Sequence, residues 1–456
     1  MNTAGVWRII PDKVSLMERG RFVNDVSAFI TELAASLYVR MPQPLRRVLH
    51  PRVTRAFAAA RRMRFIASQV RLPVFRLEGR EKNKGRPLAV LACAREPGLS
   101  FLIDRLFSDL RLRKREGGVF IWNIGRLAAR ARAGADLVLV HADSALLRRR
   151  AGRGFFLIPE WVTMALDLRP PLRETWDLAR NKTVRENLRR IRKYGYSYEV
   201  TTDPRKFSLF YERMYLPFIP GKFGTAASLV GRRLMKLFFE SGRLLLVKRD
   251  GDDVAGNIVI LFGRTAKSVI LGLKDNDQTL RQQSALGASY YFTMLWAKEN
   301  GLRRVDFGEC RAFLNDGLLY FKKRWGMELE RFELQKNAFG LKVGRFSPAV
   351  RDFLQGNPFV FADGPRLRGA ALADSDHPLA PDEVSAIVRA DFVPGLQSLV
   401  IVSPAGFAPE VRKEAARGRL GKIKPWPHPP ERFYGAGPGE SGAASSPSLS
   451  AWEAPK

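Results

Sequence analysis

Reactive side chains gather late in this chain. The segment Arg281-Gln-Gln-Ser-Ala-Leu-Gly-Ala288 follows an apolar strand, 267–274, and a polar turn. It opens a helix that is apolar nearly all round from Ala285 to Ala297, which predicts burial. Gln282, Gln283, Ser284, Ala285, Leu286 and Gly287 therefore stand where a helix offers free N–H groups and the positive end of its dipole. Small residues there let a backbone come close to a bulky anion, so this start suits a pyrophosphate. Small residues at a tight helix start are more often a matter of packing alone. Further on, Val305-Asp-Phe-Gly308 reads as a strand end. A polar loop with Glu309, Arg311, Asn315 and Asp316 comes next, then a helix with Tyr320, Lys322, Lys323 and Trp325.

Other chemistries lack their residues. The four histidines, His50, His141, His377 and His428, are far apart, and neither Cys93 nor Cys310 is near one in sequence. The sequence has no His-Glu-x-x-His or Cys-x-x-Cys spacing, so no metal site is expected. Gly-x-Ser-x-Gly and Gly-x-x-x-x-Gly-Lys are missing too, which disfavours serine hydrolases and P-loop nucleotidases.

The helix start resembles the Gln/Arg-x-x-Gly-x-Gly/Ala loop with which acyltransferases of the GNAT superfamily hold coenzyme A, with Ala285 in place of a glycine. The block Val305-Asp-Phe-Gly-Glu-Cys-Arg-Ala-Phe-Leu-Asn-Asp-Gly-Leu-Leu-Tyr-Phe-Lys-Lys-Arg-Trp-Gly326 resembles the Fem-type and CelD/BioF-like branch of that superfamily. The basic run Arg185-Glu-Asn-Leu-Arg-Arg-Ile-Arg-Lys193 is similar to the helix opening the second lobe of that branch. The resemblance covers about Pro159 to Glu333.

It implies tandem GNAT-like lobes of α/β (α+β) class, each a mixed central sheet flanked by helices. It further implies transfer of an acyl group to an amine, the donor being a coenzyme A thioester (acetyl- or acyl-coenzyme A) and no metal being used. The nucleophile must be a neutral amine, and the oxyanion needs donors. Asp306 and Glu309 then stand where a base could reach the amine, although Asp306 also reads as a cap of the next loop. Arg311, Asn315 and Asp316 could orient the acceptor; Asn315-Asp316-Gly317 reads equally as a turn or helix N-cap. Lys322 and Lys323 could neutralise phosphate or carboxylate, or form a solvated helix face. Tyr320, with Tyr290 and Tyr291, could donate a proton to a leaving thiolate, and Trp325 is expected in the core.

Five segments are expected to carry these residues. They are a basic helical arm over 1–77, a first lobe over 78–170 and a second over 171–346. A small appendage over 347–424 and a disordered Pro/Gly/Ser-rich tail over 425–456 complete the chain. Strand-like runs alternate with helical ones: a helix over 99–114 and a strand over 119–123 in the first lobe, a basic helix over 174–194 in the second.

The net charge of +32 favours polyanionic partners, unless it is a solvated basic surface. From Leu33 to Leu77 there is no Asp or Glu, while ten arginines alternate with apolar residues. That mixture suits a helix lying on an anionic membrane or on nucleic acid, or one packed on its own domain. The resemblance implies a small-molecule or cell-envelope amine as acceptor and also allows aminoacyl-transfer RNA as donor, which suits the charge; an anionic membrane is the partner expected for the 33–77 stretch. With no apolar run long enough to span a bilayer and no signal-like start, the chain is expected in the cytoplasm, either free there or peripheral at the inner membrane face.

Overall fold

The computed structural model describes residues 69–434, apart from 97, 132–133, 151–154, 177–180, 224–228, 333–336, 427–429 and 431–432. The expected basic arm up to residue 68 and the expected tail beyond 434 lie outside the described residues. Mixed sheets flanked by helices make up the fold, as the α/β class requires. Among the described residues the chain forms two compact units that are not consecutive: residues 187–302 make one, and residues 69–186 with 303–434 make the other.

The flanking unit begins with β1 (Arg71–Glu81), β2 (Pro87–Cys93) and β3 (Phe107–Phe120), followed by β4 (Leu137–Asp143), β5 (Phe156–Pro159) and β6 (Val162–Asp167). The central unit holds β7 (Ser197–Thr201), β8 (Gly242–Arg249), β9 (Asp252–Phe262) and β10 (Thr265–Leu273). The chain then returns to the flanking unit with β11 (Arg304–Cys310), β12 (Glu328–Arg331) and β13 (Asn337–Val343). β14 (Phe359–Asp363), β15 (Arg366–Leu372), β16 (Ser398–Val402) and β17 (Ile423–Trp426) complete it.

In the flanking unit β3-β1-β2-β4-β13-β5 form one sheet, with β2 and β4 parallel and the other neighbours antiparallel. β6 pairs antiparallel with β11 and with β12. Strands from before residue 170 thus pair with strands from beyond 303, so these sheets are interleaved along the sequence. The late strands β14-β15-β16-β17 form their own sheet, packed with the helices Pro381–Asp391 and Pro409–Ala416.

Two expected helical stretches are strands. Residues 71–77 open β1, whose Leu72, Val74 and Leu77 are buried alternately in period 2 or close to it. The helix from 98 stops at Leu106, and 107–120 form β3, paired with β1 along its length. Arg, Lys and Leu there are good helix formers, but pairing with β1 overrides that local preference. Gly117, expected to stop the helix, sits inside β3 at φ 116°. The strand expected over 119–123 is the end of β3 plus a short turn, Ile121–Asn123. The basic helix expected over 174–194 is described as two pieces, Leu172–Trp176 and Lys182–Lys193.

The central unit is a four-stranded antiparallel sheet, β10-β9-β8-β7, buried on both faces. Along β8, Leu245 and Val247 join one core and Leu244 and Leu246 the other. The helix Ala285–Glu299 covers the first face with Ala285, Ala288 and Phe292. On the second face a widened π-helical turn, Phe210–Tyr215, presses on the sheet. β9 and β10 admit it through glycines: a Cβ on Gly256 would lie 2.6 Å from Phe210, and one on Gly272 2.9 Å from Met214.

One polar network crosses the first face. The Asn257 amide donates to Thr293 Oγ1 at 2.9 Å and accepts from Ser268 Oγ at 2.9 Å, and Thr293 Oγ1 donates to the Ser289 carbonyl at 2.7 Å. All four residues are buried. Asn257→Leu takes the acceptor from the buried Ser268 hydroxyl and one donor from Thr293 Oγ1, and is expected to cost about 2–3 kcal/mol. Chemical denaturation checks this, with Asn257→Asp as a harsher control.

Candidate functional site

In the central unit the turn before the buried helix is built from side-chain caps. Asp277 starts the helix Gln278–Gln282 by accepting the N–H groups of Thr279 at 2.6 Å and Leu280 at 3.2 Å. That helix ends at Gln283, and Ser284 adopts the left-handed conformation (φ 71°, ψ 29°) before the 15-residue helix begins at Ala285. A non-glycine residue held there carries about 1–2 kcal/mol of strain. Its result is a sharp re-aiming of the chain. Gln283 and Ser284 donate back to Thr279 and Arg281, whereas no carbonyl of the preceding turn takes the N–H groups of Ala285, Leu286 or Gly287 among the described residues.

Gly287 lies against Asn187, where a Cβ would stand 2.4 Å from Asn187 Oδ1. Arginines surround the turn. Arg190 donates to the Gln282 carbonyl at 2.8 Å, Arg249 donates to the Gln283 side chain, and Arg281 donates to Asn276 at 2.5 Å. Asn187 and Arg190 were not legible as partners of this turn, since the sequence shows them only as members of a basic helix. The N–H groups at this helix start, the helix dipole and the nearby guanidinium groups favour a negative charge at the turn.

In the flanking unit the polar loop grows from an irregular strand end. β11 pairs with β6, and the register slips between Asp306 and Glu309. Gly308 turns there at φ 74° and donates its N–H to Asp306 Oδ1 at 2.8 Å. Lys322, 2% exposed, inserts its ammonium under this bulge and donates to the carbonyls of Gly308 at 2.9 Å and Glu309 at 3.2 Å. Burial pushes its pKa down, opposed by Cys310, Glu309 and Asp306. Lys322 is thus no solvated face but a clamp that fixes the backbone carrying Asp306 and Glu309. Cys310 ends the strand as a buried thiol, pushed up to about 11 by burial, so it stays protonated at neutral pH.

Most of the other residues singled out in this segment hold the loop together. Asp316 caps the helix Gly317–Arg324, accepting from Leu318 and Leu319 at 3.0 Å each. Asn315 accepts from Arg105 at 2.6 Å and donates to the Gly356 carbonyl at 2.6 Å. Tyr320 is 39% exposed, its hydroxyl accepting from Arg324. Lys323 binds the carbonyls of Arg389 at 2.9 Å and Ala390 at 2.8 Å, and burial brings its pKa down to about 8. Trp325 is fully buried, edge-on to Trp176. Asp316→Ala is expected to cost about 1 kcal/mol through loss of the cap, measurable by denaturant titration.

Arg311 is held between two rings and a carboxylate. Its guanidinium lies 4.0 Å from the Phe101 ring centre and 3.8 Å from that of Trp161, and pairs with Glu160 at 3.3 Å. The other Glu160 oxygen meets His141 Nε2 at 3.1 Å and Asn337 Nδ2 at 3.1 Å. Burial would raise the Glu160 pKa, but His141, Asn337 and Arg311 outweigh it and hold the carboxyl down to about 2. No sequence signal announced this cluster, because β4, β5 and β13 assemble it from distant residues.

Residues 179–322 match the family model described as Acetyltransferase (GNAT) domain. That segment is therefore similar to an acetyltransferase (GNAT) domain, and both the Gln282–Gly287 turn and the Asp306–Lys322 segment fall inside the match. No curated protein matches its sequence. Among solved structures it is similar to L-PGS from Bacillus licheniformis at 14% identity, over 58% of this chain and 80% of that one, with a TM-score of 0.31. FemX gives 14% identity over 58% and 88%, with a TM-score of 0.31. A tandem GNAT protein from the clavulanic acid biosynthesis pathway gives 13% over 58% and 82%, with a TM-score of 0.24. Similarity at this level assigns neither substrate nor partner.

Proposed function

We propose that the chain transfers an acyl group from a coenzyme A thioester to an amine. The observation that carries this reading is the helix start at Ala285, where three N–H groups without a carbonyl partner among the described residues meet a cluster of arginines. The donor's diphosphate binds there. The neutral amine attacks the thioester carbonyl, a C–N bond forms, the C–S bond breaks, and the thiolate leaves and takes up a proton. Asp306 and Glu309 are the candidates to accept the amine's proton, and Tyr320 is the candidate donor to sulfur. Arg311, Asn315, Asp316, Lys322 and Lys323 support the loop on which the acceptor is proposed to bind. The carboxylate–bulge–lysine arrangement supports a fixed base, since a general base is chosen by its geometry before its pKa.

The test of these roles is acyl transfer from acetyl-coenzyme A to a panel of amines, monitored by thiol release. Asp306→Asn is expected to lower kcat by about 10²–10⁴-fold with donor affinity kept. Full activity in the Asp306→Asn, Glu309→Gln double variant would remove both as base. An aminoacyl-tRNA donor is the second reading, favoured by the helix Lys182–Lys193, which carries Arg185, Arg189, Arg190, Arg192 and Lys193. That reading expects transfer RNA binding to weaken steeply between low and physiological salt.

A further inference from the structure

β3 is an edge strand, bonded only to β1 among the described strands and exposed along nearly its whole length. It carries Arg111, Arg113, Lys114 and Arg115 against Asp109 and Glu116. Arg111 pairs with Asp109 and Arg113 with Glu96, while Lys114 and Arg115 enter no ion pair among the described residues. Charges on an edge strand blunt strand-to-strand aggregation, and that alone would explain the basic row. It does not explain the apolar end of the strand. There, Phe120 is 41% and Trp122 51% exposed, stacked on each other at 4.9 Å. Val70 beside them is 44% exposed, and its carbonyl accepts from Ile121 at 3.1 Å. Arg71 lies over the Phe120 ring at 5.8 Å. An edge guarded only against aggregation would not end in exposed aromatic and aliphatic side chains.

We infer that this edge is a docking surface for an anionic lipid bilayer. Trp122, Phe120 and Val70 would enter the headgroup region, where amphipathic rings settle, while Lys114 and Arg115 meet lipid phosphates. Charge complementarity supports the choice: the chain carries +32, and residues 33–69, which lead directly into Val70, contain no Asp or Glu. The stacking of Phe120 on Trp122 favours a bilayer over single-stranded nucleic acid. Each ring already spends one face on the other, and stacking platforms for bases need open faces. The aliphatic Val70 adds nothing to base stacking but adds apolar area for insertion. This inference does not rest on the acyl-donor reading.

The experiment is cosedimentation of the full chain with vesicles of phosphatidylcholine and phosphatidylglycerol, and with phosphatidylcholine vesicles alone. Binding is expected to the mixed vesicles and to be weak on the neutral ones. Phe120→Ser with Trp122→Ser is expected to lower the partition coefficient by about tenfold, with unchanged net charge and thermal midpoint. Lys114→Glu with Arg115→Glu gives an independent arm, expected to weaken binding by at least about fivefold per position. Unchanged partitioning of the aromatic variant would overturn the inference, because charge alone would then suffice. So would a single-stranded RNA oligonucleotide whose own binding falls with both variants and which strips the chain from vesicles.

Discussion

Glu160→Ala is expected to destabilise the folded chain by about 3–5 kcal/mol, the largest single effect on stability that the structure predicts. The change leaves the Arg311 guanidinium, held between Phe101 and Trp161, without its counter-charge, and leaves His141 and Asn337 without their shared acceptor. Glu160→Gln keeps the shape and one acceptor, so it should cost less. Acid gives a second readout. The folded carboxyl titrates at about 2 instead of the ordinary 4.5, so the unfolded chain binds the proton more tightly. Its contribution is therefore present above pH 4.5 and lost as pH falls from there through about 2, a difference of order 3 kcal/mol. Stability against pH, measured by chemical denaturation of wild type and Glu160→Gln, should show this acid-dependent part only in the wild type. Equal acid slopes in both would mean that Glu160 is not held ionised.

Gly287→Val carries the largest expected effect on function. Even a Cβ at this position stands 2.4 Å from Asn187 Oδ1. Alanine forces only a rotation of the short Asn187 side chain, whereas the branched valine also crowds the N–H groups of the turn. We expect Gly287→Ala to be mild and Gly287→Val to weaken coenzyme A binding by about 100-fold, equivalent to the loss of one to two charge-assisted hydrogen bonds. Asn187→Ala added to Gly287→Val should restore part of the binding. Restoration by that second change separates local crowding from general unfolding, which circular dichroism monitors in parallel.

What the sequence showed and what it hid have physical causes. The helix Ala285–Glu299 and strands β8 to β10 were legible because they are buried, and burial writes apolar runs into the sequence. β3 was not: it is exposed on both faces, so no alternation marks it, and its Arg, Lys and Leu residues favour a helix locally. β1 was absorbed into a helical arm for the same reason, its basic residues suggesting an amphipathic helix. The interleaving of strands also left no trace, because pairing of β6 with β11 joins segments more than a hundred residues apart. At the site the polar residues were found by type, but their tasks were not. Asp316 as a cap was anticipated from Asn-Asp-Gly, whereas Lys322 under the Gly308 bulge depends on a burial that a Lys-Lys pair on a helix does not announce. Glu160 and His141 meet only through sheet pairing, and a lone histidine in a strand carries no hint of a carboxylate partner.

The most direct test of the central claim is calorimetric titration of the full chain with coenzyme A and acetyl-coenzyme A, at low and at physiological salt. Saturable micromolar binding that persists at the higher salt and is lost in Gly287→Val is the predicted result. No heat of binding at either salt would contradict a thioester donor and leave the Ala285 helix start without the role proposed for it.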